Sequence, residues 1–215
     1  VWMGTKEEMQ ERLIEKIEAG FSCIKLKIGV DLDGELELLE YVRCRFGHDE
    51  VQLRVDANGA FSTGEAGEIL RLLQSYDLHS IEQPIRAGQW KDMARLCRIS
   101  SLPIALDEEL IGINELQEKE RLLDEIKPSY LVLKPSLHGG MQGTREWVEL
   151  ARQRGIGSWV TSALESNVGL HAIAHLTTRL YGNHIEMAQG LGTGLLYTDN
   201  IDMPLCIKGQ EIWHQ

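Results

Sequence analysis

Cys23-Ile24-Lys25-Leu26-Lys27-Ile28 is a short run of β-favouring apolar residues interrupted by two lysines. From Lys27 onward, a charged or polar residue closes a similar apolar run about every 25–29 residues, at Asp56, Glu82, Asp107, Lys134 and Ser162. One strand, one helix and two connections have this length, and together they form the repeat unit of a (β/α) barrel. Because the carboxyl ends of barrel strands open onto one mouth, the spacing predicts that these side chains share a cavity.

The segments between these positions alternate between strand and helix patterns. Apolar residues at helical spacing predict seven helices, at 5–19, 31–46, 63–75, 89–98, 114–124, 141–154 and 167–179. Short apolar runs predict the strands, beginning with a partial strand at Val1–Gly4 and ending with one near Ile185–Ala188. Such alternation requires a parallel sheet covered by helices, and the even repeat favours closure over an open doubly wound sheet. We therefore predict an α/β fold, a TIM-type (β/α)7β barrel that occupies residues 1–215 as one domain.

Bulk composition narrows the function classes. The chain has 215 residues and a net charge of −11, which argues against partners such as nucleic acid or an anionic membrane surface. No apolar run approaches the ~20 residues that span a bilayer. The cysteines lack metal-binding spacing, which predicts reduced core residues of a cytoplasmic protein, at Cys23, Cys44, Cys97 and Cys206. Because Val1 is not an initiator methionine, we expect a fragment of a longer protein with an N-terminal part missing.

Lys25 and Lys27 are two residues apart on one predicted strand, so their side chains face the same side. There are two alternatives to an inward orientation. Both lysine side chains could face the helix layer, or the strand could lie at the edge of the sheet. If they face inward, each disfavours the other's charged form, and a nearby cation adds to this effect. That lowers the pKa of a lysine toward the working pH, as a general base requires.

Asp56, Glu82 and Asp107 end three consecutive predicted strands. Three carboxylates meeting at one point repel one another unless a cation lies between them. Hard oxygen ligands with room for water or substrate suit Mg²⁺, with Mn²⁺ as a substitute. The alternative is that each carboxylate caps a helix or lies in a turn.

Lys134 ends another strand and precedes Pro135, which cannot continue a β-ladder. In a closed barrel this strand lies across the cavity from Lys25 and Lys27. A small carboxylate substrate held on the metal would then have a lysine on each face. This arrangement suits proton transfer next to a carboxylate, with the metal stabilising the enediolate formed.

Several segments resemble the muconate-lactonizing subgroup of the enolase superfamily, in which a Lys or His base works beside Mg²⁺. They are Ile24-Lys25-Leu26-Lys27-Ile28-Gly29, Arg54-Val55-Asp56-Ala57-Asn58-Gly59, Ile81-Glu82-Gln83-Pro84, Asp107-Glu108 and Leu133-Lys134-Pro135. Within the subgroup, Thr161–Leu170 and Gly190–Gly194 look most like the o-succinylbenzoate synthases. The resemblance covers nearly the whole chain and implies the enolase C-terminal domain-like form of the barrel.

The resemblance also implies roles for individual residues. Lys27 would be the acid/base lysine, Lys25 its electrostatic partner, and Lys134 would face the enediolate from the other side. The metal ligands would be Asp56, Glu82 and Asp107, and the substrate pocket would include Asn58 and Ser162. Members of the subgroup carry an N-terminal capping domain over the barrel mouth, which this sequence lacks, so we expect that domain as a partner.

The activity implied is a Mg²⁺-dependent carbon–oxygen lyase of menaquinone biosynthesis. It would dehydrate 2-succinyl-6-hydroxy-2,4-cyclohexadiene-1-carboxylate to o-succinylbenzoate through an enediolate. The first alternative is an N-succinylamino acid racemase, which shares the first half-reaction. A dipeptide epimerase, a muconate cycloisomerase and a non-catalytic barrel rank below it.

Three other features are interpreted as structural. His171 and His175 are four apart on a predicted helix, but with no third ligand apparent we interpret them as polar helix residues. His138-Gly139-Gly140 is interpreted as a helix entry, and Gly190–Gly194 as a turn rather than a dinucleotide fingerprint.

The segment 162–167 is expected to bind the remote end of the substrate. Ser166 or Asn167 should cap a helix, and the N-terminus of that helix should bind the succinyl carboxylate near Ser162.

Overall fold

A computed structural model describes residues 1–182, 185–192 and 197–214. The described residues contain seven α-helices: α1 (Lys6–Glu18), α2 (Leu32–Arg43), α3 (Ala66–Leu73), α4 (Trp90–Ile99), α5 (Leu116–Ile126), α6 (Gly140–Gln153) and α7 (Asn167–Tyr181). They also contain eight β-strands: β1 (Cys23–Lys27), β2 (Gln52–Asp56), β3 (Ser80–Glu82), β4 (Ile104–Leu106), β5 (Tyr130–Leu133), β6 (Gly157–Val160), β7 (Leu205–Lys208) and β8 (Glu211–His214). Short 3-10 helices lie at Gln74–Tyr76 and Glu108–Leu110.

The chain divides into two compact units, Val1–Glu109 and Leu110–Gln215. In the first, β1 to β4 pair in chain order as a parallel sheet. In the second, β5 and β6 pair in parallel, while β7 and β8 form an antiparallel hairpin. A helix follows every strand from β1 to β6. The parallel pairing and the alternation confirm the predicted α/β fold class.

The register of the first sheet brings predicted site residues into one row. Lys27 pairs with Asp56 across β1 and β2, and Asp56 pairs with Glu82 across β2 and β3. Glu82 in turn pairs with Ala105, two residues before Asp107. Paired residues of neighbouring strands direct their side chains to the same face of a sheet. The register therefore places the lysine and the carboxylates side by side at the carboxyl ends of the strands.

The loop after β1 is fixed by a buried carboxylate. Glu35, which is 2% exposed, accepts hydrogen bonds from the backbone N–H groups of Gly29, Val30 and Asp31. Gly29 has a φ of +106°, and an added Cβ would lie 2.5 Å from the Cβ of Ala60 in the loop after β2. Glycine is therefore needed where these two loops approach each other.

The start of the chain fits the predicted partial strand. The carbonyl of Val1 accepts a hydrogen bond from the N–H of Lys27, and its amino group donates to the carbonyl of Lys25. Val1 thus pairs with β1 as a neighbouring strand would.

The strand predicted near Ile185–Ala188 is wrong. Within the described residues 185–192 there is only a one-residue parallel bridge, between Gly190 and Thr161. Its neighbour Gln189 uses its side-chain carbonyl oxygen to accept the N–H of Val160 at 2.7 Å. The side chain thus replaces the backbone acceptor that a longer ladder would supply.

The cysteines are free, as predicted, but they are not core residues. Cys44 is exposed, and Cys23, Cys97 and Cys206 are partly exposed. In the described part of the chain, no helix has the length and apolar character to cross a bilayer.

Candidate active site

The two lysines of β1 point toward carboxylates, which excludes the alternative orientation toward the helix layer. The Lys25 ammonium group donates to Asp56 at 3.0 Å and to Glu82 at 2.6 Å. The Lys27 ammonium group donates to the same Asp56 oxygen at 2.7 Å. Asp56 and Glu82 are almost completely buried, whereas both lysine side chains are partly exposed. One ionic cluster therefore joins β1, β2 and β3.

Burial and neighbouring charges act in opposite directions on the pKa values of this cluster. Burial lowers the pKa of Lys25, but Glu82 and Asp56 outweigh it, so the net shift is upward. Burial would raise the pKa of Asp56, but Lys25 and Lys27 hold it down at about 2. The pKa of Glu82 is raised, by burial first and then by the charges of Asp56 and Asp107, despite the contact with Lys25. Lys25 therefore stays protonated, so its pKa is not lowered as the sequence predicted, while Glu82 experiences repulsion that a further cation would relieve.

Asp107 lies next to this cluster because the side chain of Gln83, directly after β3, holds the loop that contains Asp107. The side-chain oxygen of Gln83 accepts the backbone N–H groups of Asp107 and Glu109, both at 3.2 Å. The side-chain nitrogen of Gln83 donates to Glu109. Asp107 lies near enough to Glu82 that its charge raises the pKa of the Glu82 carboxyl group. Gln83 lies inside the quoted Ile81–Pro84 motif, but its spacing alone did not reveal that it positions Asp107.

Asn58 links Lys27 to a fourth acidic residue, Glu108. Its side-chain oxygen accepts a hydrogen bond from the Lys27 ammonium group, and its amide nitrogen donates to Glu108 at 2.8 Å. Burial, followed by the charge of Asp107, raises the pKa of Glu108. Asn58 was predicted to line the substrate pocket, and the structure places it next to the proposed acid/base lysine. Glu108, although part of a quoted motif, was not predicted as a site residue.

These residues suit a hard divalent cation in kind and in charge. Asp56, Glu82 and Asp107 supply carboxylate oxygens, the ligands that Mg²⁺ prefers. Oε1 of Glu82 is buried and has no hydrogen-bond partner in the described part of the chain, so one ligand atom is available. The Lys25 ammonium group contacts both Asp56 and Glu82, so it occupies oxygens of two of these three carboxylates. Binding of the cation would therefore displace Lys25 from at least one of these contacts.

Lys134 lies in the second unit, directly after β5. The turn that follows is closed by His138, whose Nδ1 accepts the backbone N–H of Lys134 at 3.0 Å. The carbonyl of Lys134 accepts the N–H groups of Leu137 and His138. His138 is completely buried, and the helix α6 starts just after Gly139, which has a φ of +85°. The helix-entry interpretation of this segment is confirmed, and the turn holds Lys134 at the end of its strand.

Ser162 follows β6 and is 4% exposed. Its backbone N–H and its hydroxyl group both donate to the carbonyl of Gly190, at 2.9 and 3.2 Å. The hydroxyl is thus engaged within the chain. Of the predicted glycine-rich turn, Thr193 and Gly194 lie outside the described residues.

The helix expected after Ser162 begins as predicted but is capped differently. Ser166 occupies the N-cap position of α7, yet its side chain makes no capping hydrogen bond. Instead, the backbone N–H of Asn167 donates to the side chain of Asn200 at 3.4 Å, and the Asn167 side chain donates to the carbonyl of Ile201. Asn167 is therefore bound to the segment before β7, and the start of the helix is partly satisfied from within the chain.

Comparison with known proteins places this arrangement in context. Residues 8–210 match the family model described as "Enolase C-terminal domain-like". The o-succinylbenzoate synthase of Desulfotalea psychrophila is 52% identical over 97% of this chain and 56% of that protein. The crystal structure of MenC from the same organism superimposes with a TM-score of 0.90 at 50% identity, over 99% of this chain and 58% of that one. The N-succinylamino acid racemase of Thermus thermophilus is 36% identical over 83% of this chain and 47% of that protein.

The chain thus spans a little over half the length of the Desulfotalea synthase sequence and of the MenC chain that it matches. The similarity to the synthase exceeds the similarity to the racemase, in identity and in the share of this chain that is covered.

Proposed function

Because this chain belongs to the enolase C-terminal domain-like family, we propose that it is the barrel part of a Mg²⁺-dependent lyase that forms o-succinylbenzoate. The substrate would be 2-succinyl-6-hydroxy-2,4-cyclohexadiene-1-carboxylate, which loses water. The observation that carries the proposal is the 52% identity to an o-succinylbenzoate synthase across nearly the whole chain. The clustering of Lys25 and Lys27 with Asp56 and Glu82 supports it independently.

In the proposed reaction, Lys27 accepts the proton α to the substrate carboxylate. The electrons of that C–H bond form a double bond between the α carbon and the carboxylate carbon, which gives an enediolate. The enediolate electrons then form a new ring double bond and restore the carboxylate as the C–O bond of the ring hydroxyl breaks, and the Lys27 ammonium returns its proton so that the hydroxyl leaves as water. The same residue thus acts first as base and then as acid, on one face of the ring.

The neighbours of Lys27 explain this division of roles. Lys25 touches both Asp56 and Glu82, and its raised pKa keeps it protonated, so it serves as a positive charge rather than a base. Asn58 accepts a hydrogen bond from Lys27 and so orients its ammonium group. When bound by Asp56, Glu82 and Asp107, Mg²⁺ would supply positive charge against the substrate carboxylate. The proposed role of Lys134, charge stabilisation of the enediolate, is based on the family motif Leu133-Lys134-Pro135.

The second candidate is an N-succinylamino acid racemase, which the 36% identity to the Thermus protein favours. Racemisation needs a base on one face and an acid on the other, so Lys27 and Lys134 would both transfer protons. The synthase reaction needs proton transfer by Lys27 alone.

Assaying the full-length protein with MgCl₂ on the cyclohexadiene substrate and on N-succinylamino acids tests the proposal. We expect turnover of the first substrate with a kcat/KM at least about tenfold above that for the second, a preference worth about 1.4 kcal/mol. Racemisation without dehydration would support the second candidate and refute the first. A protein that binds Mg²⁺ but transforms neither substrate would refute both.

A further inference from the structure

Three histidines of the second unit meet at a place that the proposed reaction does not use. His171 and His175 project from successive turns of α7, and His214 is the last residue of β8. Nε2 of His171 and Nε2 of His175 are 3.2 Å apart. The ring centroid of His214 lies 5.7 Å from that of His171 and 5.5 Å from that of His175. The interpretation of the two helix residues as a pair without a third ligand is therefore wrong, because folding supplies His214.

The spacing of the three rings suits a metal ion. In the described ranges, these are the one group of three His, Cys, Asp or Glu residues whose ligand atoms all lie within 4.8 Å of one another. A tetrahedral zinc site with Zn–N bonds of about 2.0–2.1 Å places its nitrogen ligands roughly 3.4 Å apart. The 3.2 Å separation of the two Nε2 atoms is close to that edge length. His214 is exposed, so its side chain can rotate to complete the group.

The donor type distinguishes this group from the carboxylate cluster. Neutral imidazole nitrogens prefer Zn²⁺, Cu²⁺ or Ni²⁺, whereas Mg²⁺ prefers oxygen ligands. Three protein ligands leave the fourth zinc position to water. A hydrogen bond between His171 and His175 alone would explain their contact, but it would not explain why the third imidazole, from β8, lies against both.

We propose that His171, His175 and His214 bind a divalent transition-metal ion, Zn²⁺ in the first instance. Since the ligands come from α7 and β8, the ion would tie the β7–β8 hairpin to the helix. It would stabilise that attachment and take no part in the chemistry of Lys27. The site is independent of the proposed enzymatic function.

Isothermal titration of the purified protein with ZnCl₂ tests this, in buffer with saturating MgCl₂ to occupy the carboxylate cluster. We expect one zinc equivalent for the unaltered protein. His214→Gln should weaken it by at least about 10–100-fold, the range measured when even an outer-shell partner of a metal ligand is lost. His48→Gln is the matched control, because His48 is an exposed histidine whose ionic contacts are with Asp49 and Asp77. Circular dichroism verifies that each variant is folded, and His175→Gln replaces His214→Gln if the latter is not.

Thermal unfolding provides a second readout. Zn²⁺ should raise the midpoint of the unaltered protein and of His48→Gln, but not of His214→Gln, since a ligand that binds only the folded state stabilises it. The proposal is overturned if the unaltered protein binds no zinc in saturating MgCl₂. It is equally overturned if His214→Gln and His175→Gln bind zinc as tightly as the control.

Discussion

Lys27 on β1 and Asp56 on β2 are paired in register, and the lysine ammonium donates to the aspartate at 2.7 Å. The same aspartate oxygen accepts a hydrogen bond from Lys25. Asp56 is therefore the residue that holds both lysines on the carboxylate side of the sheet. Its charge is stabilised, whereas that of Glu82, one strand further along, is opposed by burial and by its acidic neighbours.

This asymmetry predicts that two isosteric substitutions affect stability differently. In EDTA at pH 7, Asp56→Asn should lower the free energy of unfolding by about 2 kcal/mol, because the pKa of Asp56 is depressed to about 2. Glu82→Gln should cause no loss, because the raised pKa of Glu82 means that its charge destabilises the folded state. Urea unfolding monitored by circular dichroism measures both, and equal losses would contradict the pKa directions.

The contribution of Asp56 should depend on pH in a defined window. A carboxylate whose pKa is lowered on folding stabilises the protein above its unfolded pKa, and the stabilisation disappears as the pH falls toward the folded value. The difference in stability between the unaltered protein and Asp56→Asn should therefore be constant near neutrality and shrink between about pH 4 and pH 2. A difference that grows in this range would have the wrong sign.

The metal ligands make a separate prediction. Asp56→Asn, Glu82→Gln and Asp107→Asn should each abolish Mg²⁺ binding by calorimetry and abolish activity, while circular dichroism remains unchanged. Glu118→Gln is the control, because it removes an exposed carboxylate at the start of α5. Metal–oxygen distances in a Mg²⁺-loaded crystal should be about 2.0–2.1 Å. Unaltered Mg²⁺ affinity in Asp107→Asn would exclude that residue as a ligand.

Alanine substitutions of the two proposed catalytic lysines should impair different steps of the reaction. Lys27→Ala should remove both dehydration and exchange of the substrate α-proton with solvent deuterium, with a loss in kcat of at least about 10²–10⁴-fold. Lys134→Ala should impair dehydration through lost charge stabilisation rather than lost proton transfer. Deuterium exchange followed by NMR separates the two effects. Substantial turnover by Lys27→Ala would refute the proposed mechanism.

Substitution of Ser162 tests where the succinyl arm of the substrate binds. Ser162→Leu adds bulk at a residue whose N–H and hydroxyl group both bind the carbonyl of Gly190. If the succinyl arm docks nearby, KM for succinyl substrates should rise several-fold while Mg²⁺ affinity stays the same. Steady-state kinetics and calorimetry on one preparation measure both quantities. A liganded structure with the arm directed toward the Asp107 strand would refute this placement.

Gly29 should be intolerant of any side chain. Gly29→Ala places a Cβ 2.5 Å from that of Ala60 at a φ of +106°, so we expect a loss of stability of about 1–3 kcal/mol. Gly64→Ala is the control, since its nearest contact would be 3.9 Å away. A similar midpoint of urea unfolding for both variants would show that the loops after β1 and β2 move apart easily.

Much of the fold and of the candidate site could be predicted from sequence periodicity alone. Lys27, Asp56 and Glu82 each end an apolar run, and a parallel sheet with regular helical crossovers has to align such residues in one row. That alignment depends on repeat length and on the two-residue period of a strand, both of which are local properties. The α/β class, the seven helices and the lysine–carboxylate cluster could therefore be predicted without a structure.

Tertiary structure decided the contacts that depend on residues distant in sequence or on competition between side chain and backbone. The strand predicted near Ile185–Ala188 does not form, because the side chain of Gln189 accepts the hydrogen bond of the Val160 N–H in place of a backbone carbonyl. Asn167 was bound by the segment before β7, which no helix-capping pattern within 162–167 could reveal. His214 met His171 and His175 only because the final hairpin folds against α7, a contact that leaves no periodic trace in the sequence. Sequence pattern reports which face of its own element a residue occupies, whereas the partner of that face depends on the path of the whole chain.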